Sequence, residues 1–242
     1  MIERRWLFPF VLCAAGCVEP VVKDRPTPGS VEPLAVAAVP AWIKIGIPVD
    51  LRPPEEFARG HLAGAVNLQA GYKQLELRAR RFFGASARLC LMAEDPVEAQ
   101  RFATKVAGSF AEMRFLNARV SDLEASGIKW RRQRTIAPSE TAALLASGDA
   151  LLIDARTAEE YASGHIAGAV LIYPDDAPRQ AAFLRPERTV VVICEAGWRS
   201  SLVVSWLDRV GFADARNLIG GMVAWRKADK PIERGDEQRS FK

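Results

Sequence analysis

The sequence predicts an α/β protein built from two copies of one domain, each a parallel sheet with helices on both faces. The stretch "VDLRPPEEFARGHLAGAVNL", Val49 to Leu68, returns as "IDARTAEEYASGHIAGAVLI", Ile153 to Ile172, with 11 of 20 positions identical, so one supersecondary unit occurs twice. In each copy, short apolar strands alternate with short helical stretches, the pattern of a parallel sheet whose crossovers cover both faces. A chain of 242 residues, 49% hydrophobic and 26% charged, is long enough for two small cores and too apolar for wholesale disorder.

The first seventeen residues, "MIERRWLFPFVLCAAGC", read as a targeting segment. Arg4 and Arg5 make a positive start, and Trp6 to Ala15 form an apolar stretch too short to cross a bilayer as a helix. "AAGC", Ala14 to Cys17, resembles the lipobox of bacterial lipoproteins. That resemblance implies cleavage before Cys17, lipidation of its sulfur and a periplasmic, membrane-anchored protein. An ordinary signal peptide, an uncleaved anchor and a cytoplasmic start are the alternatives. Residues 18–41 contain Pro20, Pro26, Pro28, Pro33 and Pro40 and predict a semi-extended tether without a core.

The first copy is expected over 42–130. It opens on a strand ending in Asp50-x-Arg52, continues through a Glu-rich helical turn and Gly-His-x-x-Gly-Ala-Val to a second strand, and later has the apolar strand "RLCLM". Residues 131–137, with Arg131, Arg132 and Arg134, read as a solvated linker. The second copy is expected over 138–233, with a tail from 234. Ser139 is the expected cap of "ETAALLAS", Gly148 its stop, and "ALLID" and "TVVVI" are strands. Ser200 to Val210 predicts a helix with Leu202, Val203, Trp206, Leu207 and Val210 at core spacing.

Composition excludes several function classes. Lys and Arg number 33 against 29 for Asp and Glu, and no basic run with interleaved aromatics points to nucleic acid. The mild basicity helps to attract small anions. Two histidines, and no cysteines at paired spacing, argue against a metal enzyme, and no cofactor is implied. If Cys17 is the mature first residue, Cys13 is removed with the leader and only Cys90 and Cys194 remain free, which is not a disulfide framework. Cys90, inside an apolar strand, reads as buried and inert.

Cys194 is different. It ends the run Val190 to Ile193, and Glu195, Ala196, Gly197, Trp198 and Arg199 turn the chain into a helix. A cysteine at the C-terminal end of a parallel strand, before a turn and a helix start, lies where backbone N–H groups converge and anions bind. Those dipoles and the Arg199 guanidinium favour thiolate over thiol. Gly197 permits the backbone angles of a tight loop, and Ser200 is placed to cap the helix or donate to a bound anion.

The Asp-x-Arg strand end, "GHIAGAV", the Cys194 loop ending in "RS" and "LIGGMVAWRKADKPI", Leu218 to Ile232, together resemble a tandem rhodanese-domain protein, strongly in the second copy and weakly in the first. The resemblance implies two rhodanese-like domains and sulfurtransferase activity by double displacement. Cys194 attacks the outer sulfur of a small anionic donor, holds it as a persulfide and yields it to a thiol or cyanide acceptor. Arg199 is expected to steer and hold the anion; Trp198 either shields the persulfide or supports the loop from the surface. Glu195 sets a carboxylate beside the nucleophile and opposes anionic donors such as thiosulfate. Asp154 and Arg156 read as an ion pair bracing the site. His165 recurs as His61 and reads as a turn histidine bonded to backbone.

An ungapped alignment of Ser86–Phe110 with Arg188–Phe212 puts Met92 opposite Cys194 and Val97 opposite Arg199, with Glu94 and Asp95 in the loop. The first copy is therefore expected to be a non-catalytic partner that repels anions. A cysteine phosphatase is the less favoured chemistry, because four residues separate Cys194 from Arg199, against the five usual in phosphatase loops. A sulfur-carrying or sensing module without turnover remains the alternative from a different class.

Overall fold

The structure, a computed structural model, describes residues 31–71 and 74–235. Two five-stranded parallel sheets follow one another along the chain. The first contains β1 (Val31–Leu34), β2 (Ile47–Asp50), β4 (Val66–Asn67), β5 (Arg88–Met92) and β6 (Glu112–Leu116), in the order β1-β6-β5-β2-β4. The second contains β8 (Thr135–Ile136), β9 (Ala150–Asp154), β10 (Val170–Leu171), β11 (Thr189–Ile193) and β12 (Ala215–Leu218), in the order β8-β12-β11-β9-β10. The two orders are the same. A separate antiparallel pair joins β3 (His61–Leu62) to β7 (Trp130–Arg131).

Five helices accompany the first sheet: α1 (Val39–Trp42), α2 (Pro54–Arg59), α3 (Leu75–Phe83), α4 (Pro96–Val106) and α5 (Val120–Ala125). Five accompany the second: α6 (Pro138–Ser147), α7 (Ala158–Ser163), α8 (Ala177–Gln180), α9 (Trp198–Arg209) and α10 (Gly221–Lys227). The central strand β11, "TVVVI", pairs with β9 on one side and β12 on the other, and Val190 to Ile193 are all buried. β-branched residues suit a strand covered on both faces, so the local preference and the burial agree.

Three expectations are corrected. The proline-rich stretch expected to be a tether to residue 41 supplies β1, which pairs in parallel with β6, and α1, which buries Val39 and Trp42. An edge strand tolerates Pro33 because only one side of it enters the ladder. The linker expected over 131–137 is shorter: Arg131 pairs with His61, while Asn217 and Leu218 pair with Thr135 and Ile136. Ser139 does not cap α6; Ala137 precedes Pro138 at the first turn, and the Glu140 carboxylate accepts from the Ala137 N–H at 3.0 Å. Gly148 does stop that helix, at φ 76°.

The helix expected from Ser200 begins at Trp198, and its outer end differs, because Val210 is 46% exposed. The rest of its apolar face is buried on one core that runs across the domain boundary. Val49, Val66 and Phe82 of the first domain and Ile153, Val192, Leu202 and Leu207 of the second belong to the same cluster. Trp206 meets Phe82 edge-on at 5.3 Å between ring centres, an arrangement worth about 0.5–1.5 kcal/mol beyond area burial. Arg209 at the end of α9 donates to the carbonyls of Gly64 at 2.7 Å and Gly46 at 3.0 Å. Helix α9 thus starts at the Cys194 loop and packs its length against the first domain.

Candidate active site

Cys194 follows β11 directly and is 1% exposed. Gly197 takes φ 101° and starts α9, which turns its own N–H back to the sulfur. That N–H donates to Cys194 Sγ at 3.1 Å, and the Ser200 hydroxyl donates to it at 3.3 Å. The loop is held from its outer side by α10. The N–H groups of Met222 and Val223 donate to the carbonyls of Cys194 at 2.8 Å and Glu195 at 3.1 Å. Gly221 stands so close that a Cβ there would collide with the Cys194 carbonyl oxygen. Two glycines therefore set the loop: Gly197 by its left-handed backbone and Gly221 by its lack of a side chain.

Charged residues ring this loop in matched pairs. Arg156 forks onto Asp154, at 3.0 Å from Nε to Oδ1 and 2.8 Å from Nη2 to Oδ2, and donates to the Gly164 carbonyl at 2.7 Å. This ion pair is buried, with Asp154 at 0% and Arg156 at 2% exposure. Arg199 forks onto Glu160, at 2.5 and 2.6 Å. That guanidinium and burial act oppositely on Glu160; the hydrogen bonds from Arg199 dominate and hold its carboxyl down at about 2. Because the folded value lies below the usual 4.5, the pair contributes fully above that pH and is lost only as pH falls through about 2.

Glu195, expected from the sequence to oppose anionic donors, carries a charge that two arginines compensate. Its carboxylate is bonded to Arg226 and lies 3.5 Å from Arg156 Nη1. Trp198 is 43% exposed and stands at the surface. His165 stacks on Tyr161 at 3.7 Å, and its Nδ1 lies 3.0 Å from the Tyr161 carbonyl oxygen. A carbonyl only accepts, so Nδ1 carries the proton and the ring is a brace for the turn. His61 repeats this on Phe57. Ala196 and Gly197, with Asn217, Ile219 and Gly220, face Pro54, Glu55 and Ala58 of the first domain across a cleft of about 240 Å³. Cys17 lies outside the described residues.

The equivalent loop of the first domain is one residue shorter, which the ungapped alignment missed. Asp50 pairs with Met92 as Asp154 pairs with Ile193, so Ala93, not Met92, corresponds to Cys194. The Val120 N–H donates to the Ala93 carbonyl as the Met222 N–H does to that of Cys194. Asp95 caps α4 by accepting from the Val97 N–H at 2.9 Å, and Glu94 accepts from the Ser121 hydroxyl at 2.7 Å. Val97 still corresponds to Arg199 by its place after the helix start. No nucleophile and no guanidinium stand at those two positions in this copy.

Glu160, Arg226, Gly221 and Asn217 were not singled out by the sequence reading. Glu160 had a local signal, since Thr157-x-x-Glu160 is a capping box, with Thr157 Oγ1 accepting from the Glu160 N–H. Gly221 and Arg226 lie within "LIGGMVAWRKADKPI", which carried the resemblance as a motif without marking either residue; Asn217, just before it, carried no signal.

A profile of the rhodanese-like domain family matches residues 40–95 and 137–228. The sulfurtransferase of Allochromatium vinosum is 34% identical over 84 residues, 35% of this chain and 78% of that one. YtwF of Bacillus subtilis is 42% identical over 80 residues, 33% of this chain and 77% of that one. The crystal structure of a thiosulfate sulfurtransferase from Pseudomonas aeruginosa superimposes with TM-score 0.41 and 19% identity, covering 87% of this chain and 45% of that one. With one matched segment in each sheet, the chain belongs to the rhodanese-like domain family.

Proposed function

We propose that this protein is a sulfurtransferase in which Cys194 carries sulfane sulfur between a donor and a thiophilic acceptor. The observation that supports this most is the pair of donors on one sulfur, Gly197 N–H and Ser200 Oγ–H, at a strand end and a helix start. Hydrogen bonds to Sγ are charge-assisted when Cys194 is the attacking or the departing thiolate; in the persulfide the charge moves to the outer sulfur. The thiolate of Cys194 attacks the outer sulfur of the donor. The donor's S–S bond breaks, and sulfite or a thiolate leaves with the electron pair. A thiol or cyanide then takes the outer sulfur and Cys194 leaves as thiolate, so the cycle needs no oxidant or reductant.

The similarity to sulfurtransferases supports the class of reaction, and the matched charges at the loop bear on the donor. Arg199 is engaged by Glu160 and Glu195 by Arg226, so an anionic donor gains Arg199 only by sharing or displacing a carboxylate. The 1% exposure of Cys194 favours a second reading, a carrier that loads and delivers sulfur once per encounter. Steady-state transfer to cyanide, compared with the stoichiometry of a single loading, separates the two. Turnover well beyond one sulfur per chain supports the enzyme.

The export reading is a separate proposal on residues 1–17. No helix among the described residues is long and apolar enough to cross a membrane, and two or more acyl chains at Cys17 would anchor the protein. Expressed in a bacterium, the full chain is expected to label with fatty acid, and Cys17→Ala to remove the label. Full-length protein without label that retains Met1 contradicts it.

A further inference from the structure

We propose that Asn67, in the first domain, is a positioning residue for the Cys194 loop of the second. This rests on Cys194 being the sulfur carrier, and it gives the domain that lacks a nucleophile a part in the reaction.

Asn67 ends β4 and is 1% exposed. Its Nδ2 donates to the carbonyls of Asp50 at 3.2 Å and Arg52 at 2.9 Å. Both partners only accept, so the amide has one orientation and Oδ1 is left as an acceptor at the domain seam. There it accepts from the Ser201 hydroxyl at 2.7 Å. Ser201 lies in the first turn of α9, next to Ser200, whose hydroxyl reaches Cys194 Sγ.

A second path closes on the same loop. Gln133, between the domains, donates from Nε2 to the Ser201 carbonyl at 3.1 Å and accepts at Oε1 from Asn217 Nδ2 at 3.4 Å. Asn217 Nδ2 also donates to the Gly197 carbonyl at 3.2 Å. Gly197 is thereby held at its carbonyl while its N–H points at the sulfur. Asn67, Ser201, Gln133 and Asn217 are each 6% exposed or less, so water does not compete for these bonds.

Packing alone does not account for these residues. By the repeat and the helix starts, Leu171 corresponds to Asn67, and Ala99 to Ser201. The other copy thus has apolar side chains where this path has polar ones. Asn217 Oδ1 is buried without a partner, a cost that an apolar residue would avoid. A fully buried polar path fixes one geometry where apolar contacts tolerate several.

The test uses the full-length chain carrying Asn67→Leu with Ser201→Ala, which replaces both partners together by the residues of the other copy. Removing both leaves neither the Asn67 carbonyl oxygen nor the Ser201 hydroxyl unpaired, but it also takes the Asn67 Nδ2 donor from the carbonyls of Asp50 and Arg52 and the Ser201 hydroxyl from Gln133 Oε1, so the melting temperature is expected to fall by a few degrees with the fold retained. kcat for sulfur transfer is expected to fall about tenfold with KM unchanged, because donors to the sulfur lose alignment while the cleft is untouched. The rate of Cys194 alkylation by iodoacetamide at fixed pH is expected to fall with it. Asn217→Leu is expected to give the same fall, with no further loss when added to the double variant.

Ser205→Ala serves as the control. It removes the bond from the Asn67 N–H to Ser205 Oγ, 3.0 Å long, at the same seam but off the path to Gly197. It is expected to lower the melting temperature and leave kcat unchanged. The proposal is overturned if the double variant keeps wild-type kcat and alkylation rate, or if Ser205→Ala lowers kcat as much as the double variant does. If the double variant does not fold, unchanged kcat in Asn217→Leu overturns it. If the wild-type chain transfers no sulfur from any donor, the sulfur-carrier reading fails instead, and the alkylation rates still decide the positioning.

Discussion

Cys90 and Cys194 are both buried, and they differ in what surrounds the sulfur. Around Cys90 burial outweighs the opposing charge of Arg114, and it pushes that thiol up to about 12. Cys194 has two hydrogen-bond donors on its sulfur. Cys194→Ser is therefore expected to abolish sulfur transfer, and Cys90→Ser to retain most of it, in a cyanide-acceptor assay. Ser200→Ala removes one donor and is expected to lower transfer several-fold in the same assay. Glu195→Gln removes a charge that Arg226 and Arg156 compensate. Its effect on thiosulfate kcat/KM is expected to be an improvement of a few fold only, since both Glu195 and Arg226 are partly exposed and screened. Cys194, Gly197 and Ser200 were legible in the sequence because strand end, turn and helix start are contiguous. The Glu160–Arg199 and Glu195–Arg226 pairs were not, because their partners lie 39 and 31 residues apart and only the folded sheet brings them together.

Among the elements, α9 links the loop to the rest of the molecule. Asp208 near its end is pushed up to about 6 by burial, with Arg134 the leading opposing charge and Nη1 3.8 Å from Oδ1. A folded value above the usual 3.8 means the folded state holds the proton more tightly. Stability from this group is fully present below about pH 4 and is lost as pH rises through about 6. Asp208→Asn removes that loss and is expected to stabilise the protein by about 2 kcal/mol at about pH 8 and by almost nothing at about pH 4, read by chemical denaturation. The central strands and α9 were legible from apolar runs and periodicity. The edge strands β1 and β8 were not, since four and two residues with one paired side carry little pattern. The ungapped alignment failed for a related reason: a loop shortened by one residue leaves no trace in hydrophobic spacing.

For the whole molecule, one core cluster and a polar seam join the two domains, and each domain has a further cluster of its own. A chain beginning at Arg131 would expose the buried face of α9 and leave Ser201 and Gln133 without Asn67 between them and the first domain. Its melting temperature is expected to lie about 10 °C or more below that of the full chain, measured by differential scanning calorimetry. The repeat made the two-domain plan legible; their joining did not show in the sequence, because it depends on side chains that differ between the copies, Asn67 against Leu171 and Ser201 against Ala99.

Whether Cys194 carries the sulfur is read by peptide mass spectrometry after loading the full chain with a sulfane-sulfur donor, across thiosulfate and low-molecular-weight persulfides. A gain of one sulfur atom is expected on the peptide carrying Cys194, lost again when cyanide or a thiol is added. Added sulfur mapping to Cys90, or no added sulfur from any donor while the protein is folded, would contradict it.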